Sequence, residues 1–104
     1  MLRVRILEEA AEEAIEAAAW YEKERPGLGA EFDEVVNVAL DLLEDDIVPL
    51  AAMPGNAGAK GAKRLVLSRF PYDIVVREFP REIVVVAIAH QSRRPGYWRD
   101  RLRT

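Results

Sequence analysis

The chain's only histidine opens a stretch dense in groups that hold anions or move protons: His90-Gln91-Ser92-Arg93-Arg94-Pro95-Gly96-Tyr97-Trp98-Arg99-Asp100-Arg101-Leu102-Arg103. It joins one imidazole, two aromatic rings and five arginines. Guanidinium planes pair with phosphates and carboxylates, and they stack on exposed bases as aromatic rings do. Imidazole exchanges a proton near neutrality because its ordinary pKa is about 6.5. Lys60, Lys63, Arg64 and Arg69 add cations upstream, and Arg77 is placed to face the same way across a hairpin. Each feature also has a plainer reading. His90 can be a hydrogen-bonded structural residue, Tyr97-Trp98 a flap closing the core, and the arginines partners of internal acids.

Other chemistries lack their residues. The chain has no cysteine and one histidine, so disulfides, Cys-based zinc sites and His-rich metal sites are excluded. The glycines at 55, 58 and 61 follow no strand and open no helix, so they cradle no phosphate. No HExxH or nucleophile elbow occurs, and no carboxylate pair sits in a pocket-forming context. No cofactor and no metal are expected.

Charge is divided along the chain. Residues 1–50 hold 4 Lys/Arg and 14 Asp/Glu, a balance of −10; residues 51–104 hold 11 and 4, a balance of +7. Either the basic half meets an anionic partner, or the two halves satisfy each other inside the fold. The 104 residues suit one domain, 1–104. No apolar run approaches the roughly 18 residues of a membrane span. Together with the lack of cysteine, this leads us to expect a cytoplasmic protein with no membrane contact.

The elements that must position these residues follow from periodicity. Leu2, Val4 and Ile6 alternate with Arg3 and Arg5, a short half-buried strand. A helix is predicted from Glu8 to about Glu24, with Leu7, Ala10, Ala11, Ala14, Ala18 and Tyr21 on one stripe. Pro26-Gly27 ends it. A second helix over 28–44 carries Leu28, Phe32, Val35, Val36, Ala39, Leu42 and Leu43 on its apolar side. Trp20 falls on the acidic side of the first helix, and is expected to pack beneath the long loop from Ile47 to Gly61 rather than mark a contact surface.

Three strands are predicted at 63–70, 73–79 and 83–89, and their short connections permit only antiparallel hairpins. The last is almost wholly apolar and so belongs at the centre, with the first strand beside it. The expected fold is α+β, ordered β-α-α-β-β-β: a four-stranded antiparallel sheet with a helical hairpin on one face. The tail after residue 90 is expected to be irregular or a short helix. A sheet face or groove left bare should show apolar surface rimmed by arginines.

Several segments together resemble the RelE/ParE superfamily of type II toxin–antitoxin toxins, most nearly its ParE-like, plasmid-stabilisation branch. They are Trp20-Tyr21-Glu22, Pro26-Gly27-Leu28-Gly29 with Glu31-Phe32, Arg69-Phe70-Pro71-Tyr72, Ala87-Ile88-Ala89-His90 and Arg93-Arg94-Pro95-Gly96-Tyr97-Trp98. The resemblance runs over nearly the whole chain in the order of the derived elements. It implies a toxin neutralised by a cognate antitoxin that wraps it and reaches operator DNA on its behalf. RelE-like members are ribosome-dependent, metal-independent mRNA endoribonucleases; ParE-like members inhibit DNA gyrase. Under the nuclease implication His90, Arg69, Arg93 and Tyr97 would be catalytic. Under the binding implication Arg64, Arg69, Arg77, Arg93, Arg94 and Trp98 would meet antitoxin or target. A sequence pI of about 5.2 departs from the strongly basic nuclease type and favours a protein target. A degenerate toxin that only binds its antitoxin is the third alternative.

Overall fold

The computed structural model describes residues 2–46, 50–52, 61–94 and 96–103. Most of the expected 47–61 loop, and Pro95, therefore lie outside the described residues. Strand β1 (Arg3–Ile6) leads into helix α1 (Glu8–Glu24), and α2 (Leu28–Glu44) returns beside it. Then come β2 (Ala51–Ala52), β3 (Ala62–Val66), β4 (Tyr72–Phe79) and β5 (Glu82–His90), and a 3-10 turn over Arg99–Arg103 ends the order. The sheet runs β1-β5-β4-β3-β2. The β3–β4 and β4–β5 pairings are antiparallel, as expected.

Two details go beyond the sequence reading. β1 joins β5 in parallel, because the chain re-enters the sheet by a meander whose last strand runs with the first. The short β2, inside the expected loop, adds a fifth strand by pairing with Arg64 and Lys63. β3 also stops at Val66, before the turn that carries Pro71, since proline offers no N–H to a ladder.

The hairpin forms where the sequence places its breakers. Gly27 has φ 90°, a left-handed backbone that glycine adopts without steric cost. The Glu22 carboxylate accepts the N–H groups of Gly27 and Gly29, at 3.0 Å for each nearest oxygen. It thus caps the positive end of α2 from the end of α1. Gly29 is where the helices touch: a Cβ there would stand 2.5 Å from the Ala18 carbonyl oxygen. Backbone cannot yield as a flexible side chain can. Gly29→Ala should therefore cost about 1–3 kcal/mol, the usual range for overpacking, as a lowered urea midpoint at unchanged slope.

Beneath the hairpin, Tyr21, Phe32, Phe70 and Tyr72 form an aromatic cluster. Tyr21 and Phe70 lie 4.9 Å apart, and Phe32 and Phe70 5.2 Å, both edge to face. Ile74, Val76, Ile83, Val85 and Ile88 complete this core from the sheet. The opposite sheet face is not bare. Trp98 and Leu102 of the tail cover it, forming a second core with Ala62, Val75, Val84, Val86, Ala87 and Ala89. The expected open apolar face is closed by the protein's own tail.

One irregularity decides where β5 points its end. Val75 pairs with Ala87 but Val76 with Val85, so Val86 is an extra residue, a β-bulge. Val86 and Ala87 both join the tail-side core, while Val85 and Ile88 face the helices. The phase shift turns His90 to the helix side, where its ring meets Tyr72 edge-on at 4.9 Å.

Candidate functional site

Six of the residues singled out by sequence meet at the end of β5. Arg64, His90, Arg93, Arg94, Tyr97 and Trp98 line one small cleft of about 90 Å³, together with Asp73 and Gln91. Through the rim at His90 and Arg93 this cleft adjoins a larger groove of about 320 Å³ on the helix side. Glu13, Glu16, Ala17, Trp20, Tyr21, Tyr72 and Ile88 line the rest of that groove. Trp20 is 56% exposed there, and most of the loop expected to cover it lies outside the described residues. An aromatic ring held half in water by Tyr21, 5.1 Å away, belongs to a surface.

Arg69 and Arg77 stand apart from this cluster. Arg69 lies in the β3–β4 turn and pairs with Glu31 of α2 at 3.1 Å. Hydrogen bonding by Arg69 holds the Glu31 carboxyl below the usual carboxylate range. Protonation of Glu31 in acid removes this exposed pair. Arg77 donates to the Leu102 carbonyl at 2.7 Å, which fixes the end of the tail. Trp98 is 1% exposed, so it supports the cleft from beneath and presents no surface to a partner.

His90 is constrained in a way that limits its chemistry. Its Nδ1 accepts the Ser92 backbone N–H at 3.0 Å and lies 2.7 Å from the Ser92 hydroxyl. A backbone N–H can only donate, so this lone pair is occupied and the neutral ring carries its hydrogen on Nε2. In that state His90 offers a donor outward. Tyr97 is equally committed: its hydroxyl donates to Glu13 Oε2, and burial, reinforced by that hydrogen bond, pushes its pKa upward. The Arg93 guanidinium lies over the Tyr97 ring, 3.8 Å from its centre.

Cations of the cleft divide by partner. Arg64 reaches Asp73 at 3.5 Å, and Gln91 donates to the same carboxylate at 3.1 Å. The Arg64 Nε is buried without a hydrogen-bond partner among the described residues. Arg93 stands 4.0 Å from Glu13 while its side chain stays 56% exposed. Arg94 is exposed and makes no ion pair among the described residues. The two charged halves do meet, through Arg69–Glu31, Arg93–Glu13, Arg101–Glu13 and Arg5–Glu82. Internal pairing thus consumes part of the basic charge and leaves a rim of Arg93 and Arg94 facing outward.

Sequence reasoning missed Glu13 and Arg101, which lie at the centre of this arrangement 2.9 Å apart. Burial works against the Arg101 charge, but hydrogen bonding to Glu13 overrides it and raises the pKa. A signal existed: Glu13, between Ala10 and Ala17 on the helix, sits at the margin of the apolar stripe. Among the described residues no three metal-binding side chains converge, and no helix is long and apolar enough to cross a membrane.

No family model matches the sequence, and no curated protein matches it. Among solved structures, the fold matches a chain described as "Chromosomal ParDE TA system from P. aeruginosa" with a TM-score of 0.73. The match covers 86% of this chain and 96% of that one, at 16% sequence identity. A likeness that distant speaks for architecture, and the architecture here is the one seen in a ParDE TA system.

Proposed function

We propose that the chain is the toxin of a type II toxin–antitoxin pair. It arrests growth by binding a protein target such as DNA gyrase through the Arg93–Arg94 rim, and a cognate antitoxin neutralises it. The fold shared with a ParDE TA chain supports the toxin role. The observation that carries the choice of binding over cleavage is the engagement of His90 and Tyr97. Metal-free RNA cleavage needs a base at the 2′-hydroxyl and an acid at the leaving oxygen. Here the Nδ1 lone pair is held by Ser92 and the Tyr97 hydroxyl by Glu13. What remains outward is cationic and planar, suited to carboxylates on a protein.

Induction of the chain alone in a bacterial host should arrest growth, and co-expression of a small adjacent gene product should restore it. Purified protein should inhibit supercoiling by gyrase, and His90→Ala should leave that inhibition within about threefold, since it removes no buried charge and only an edge contact with Tyr72. Truncated ribosomal mRNAs in the arrested cells, lost in His90→Ala by ~100-fold or more, would instead establish a nuclease. Normal growth at high soluble expression would leave only an antitoxin-binding module.

A further inference from the structure

Strand β5 loses its outer neighbour where its register slips. β1 pairs with β5 only from Glu82 to Val85, and Leu7 closes the ladder by donating to the Val85 carbonyl at 3.0 Å. Beyond that point the bulge aims backbone groups at no strand. Side chains take them instead. The Glu13 carboxylate accepts the Ile88 N–H at 3.1 Å, and Arg101 donates to the Val86 carbonyl at 3.1 Å. The same carboxylate accepts from Arg101 at 2.9 Å and from the Tyr97 hydroxyl, and Arg93 stands 4.0 Å away. Its side chain is 13% exposed. One acid on α1 thus holds the strand, the tail and the rim.

We propose that Glu13 is the positioning residue of the basic rim. It stands in for the missing β1 neighbour, pins Tyr97, and through the Tyr97 ring fixes where the Arg93 guanidinium is presented. The proposal rests on the reading of the rim as a target-binding surface, but its geometry is measurable without any target. Glutamine at this position keeps the size and one acceptor oxygen. Its NH₂ cannot accept from Tyr97, and it turns donors towards Arg101. At least one buried group then loses its partner.

The full-length chain, wild type and Glu13→Gln, gives three readouts. Amide exchange at Ile88, whose N–H donates to Glu13, should accelerate about 10-fold or more, and that at Arg101, whose N–H is held by the Trp98 carbonyl, should follow as the turn loosens. The amides of Ile74 and Val76, deep in the sheet, should not change. The δ-protons of Arg93, whose guanidinium carbon lies over the Tyr97 ring, should be shifted upfield in the wild type and move towards unstructured values in the variant. The concentration for half-inhibition of purified gyrase should rise by about 10-fold, as it does when an interface anchor is disordered. If Glu13→Gln does not fold, Arg101→Gln tests the same link from the tail. Wild-type exchange rates, or an Arg93 shift that persists, would overturn the proposal. So would a loosened tail with unchanged inhibition. A wild-type protein that leaves gyrase and growth untouched would overturn the target reading alone, with exchange and chemical shift still deciding the role of Glu13.

Discussion

Trp98→Ala is expected to remove about 3–5 kcal/mol of folding stability, the range for truncating a large buried aromatic. Trp98 is 1% exposed and is the largest side chain of the tail-side core. Small domains hold only about 5–15 kcal/mol in total, so the variant should be partly unfolded or close to it. The reason is architectural. A sheet whose central strand is apolar on both sides must be covered twice, and here the second cover is a tail with a single short turn. Removing the Trp98 ring leaves a cavity beside Val75, Val84 and Ala87, and the tail's other ring, Tyr97, is held by its hydrogen bond to Glu13. Chemical denaturation monitored at Trp20 and by far-ultraviolet dichroism checks this. A loss below 1 kcal/mol would mean that the tail is not packed as described. Trp20→Ala is the control: at 56% exposure it should stay within about 0.5 kcal/mol of wild type.

The contrast between these two tryptophans shows where sequence reasoning stops. The helices were legible because their signals are local: alanine and apolar stripes, Pro26-Gly27 between them, and observed bounds at Glu8–Glu24 and Leu28–Glu44. That β5 is an inner strand covered on both faces was legible from its unbroken apolar run, although β4 holds the middle of the sheet. The same run hid the bulge. Where every residue is apolar, a slip of one leaves no trace in the pattern, yet it decides which way His90 points. Trp98 admitted two readings, core or contact, because an aromatic beside arginines looks alike in both; only its place over Val84 and Val86 separates them. Glu13 was hidden among Glu8, Glu9 and Glu12, which favour the start of any helix by charge alone. Its distinct role depends on Ile88 and Arg101, residues 75 and 88 positions away. The arginines sorted by partners of the same long-range kind, so Arg69 and Arg77 stand apart from the cleft and Arg93 and Arg94 line it.

Replacing Arg93 and Arg94 together by alanine should have the largest effect on function, raising the concentration needed to inhibit the protein target by about 100-fold or more. Arginines that anchor an interface typically lose 2 kcal/mol or more each on truncation. These two differ in kind. Arg93 is pre-ordered, its guanidinium stacked 3.8 Å over Tyr97 and tethered towards Glu13, so it loses little freedom on binding. Arg94 has no such restraint, and its charge is the less compensated of the two. The single changes should therefore split: Arg93→Ala mainly speeds dissociation, while Arg94→Ala mainly slows association and flattens its salt dependence. Neither touches either core, so thermal stability should stay near wild type, and that separates this loss from the one at Trp98. Arg69→Ala supplies the contrast. It removes an exposed ion pair with Glu31, outside the cleft, and should change inhibition by less than about threefold. If Arg69→Ala proves as damaging as the double replacement, the contact surface extends along the β3–β4 turn towards α2, and the rim at the end of β5 is not its centre.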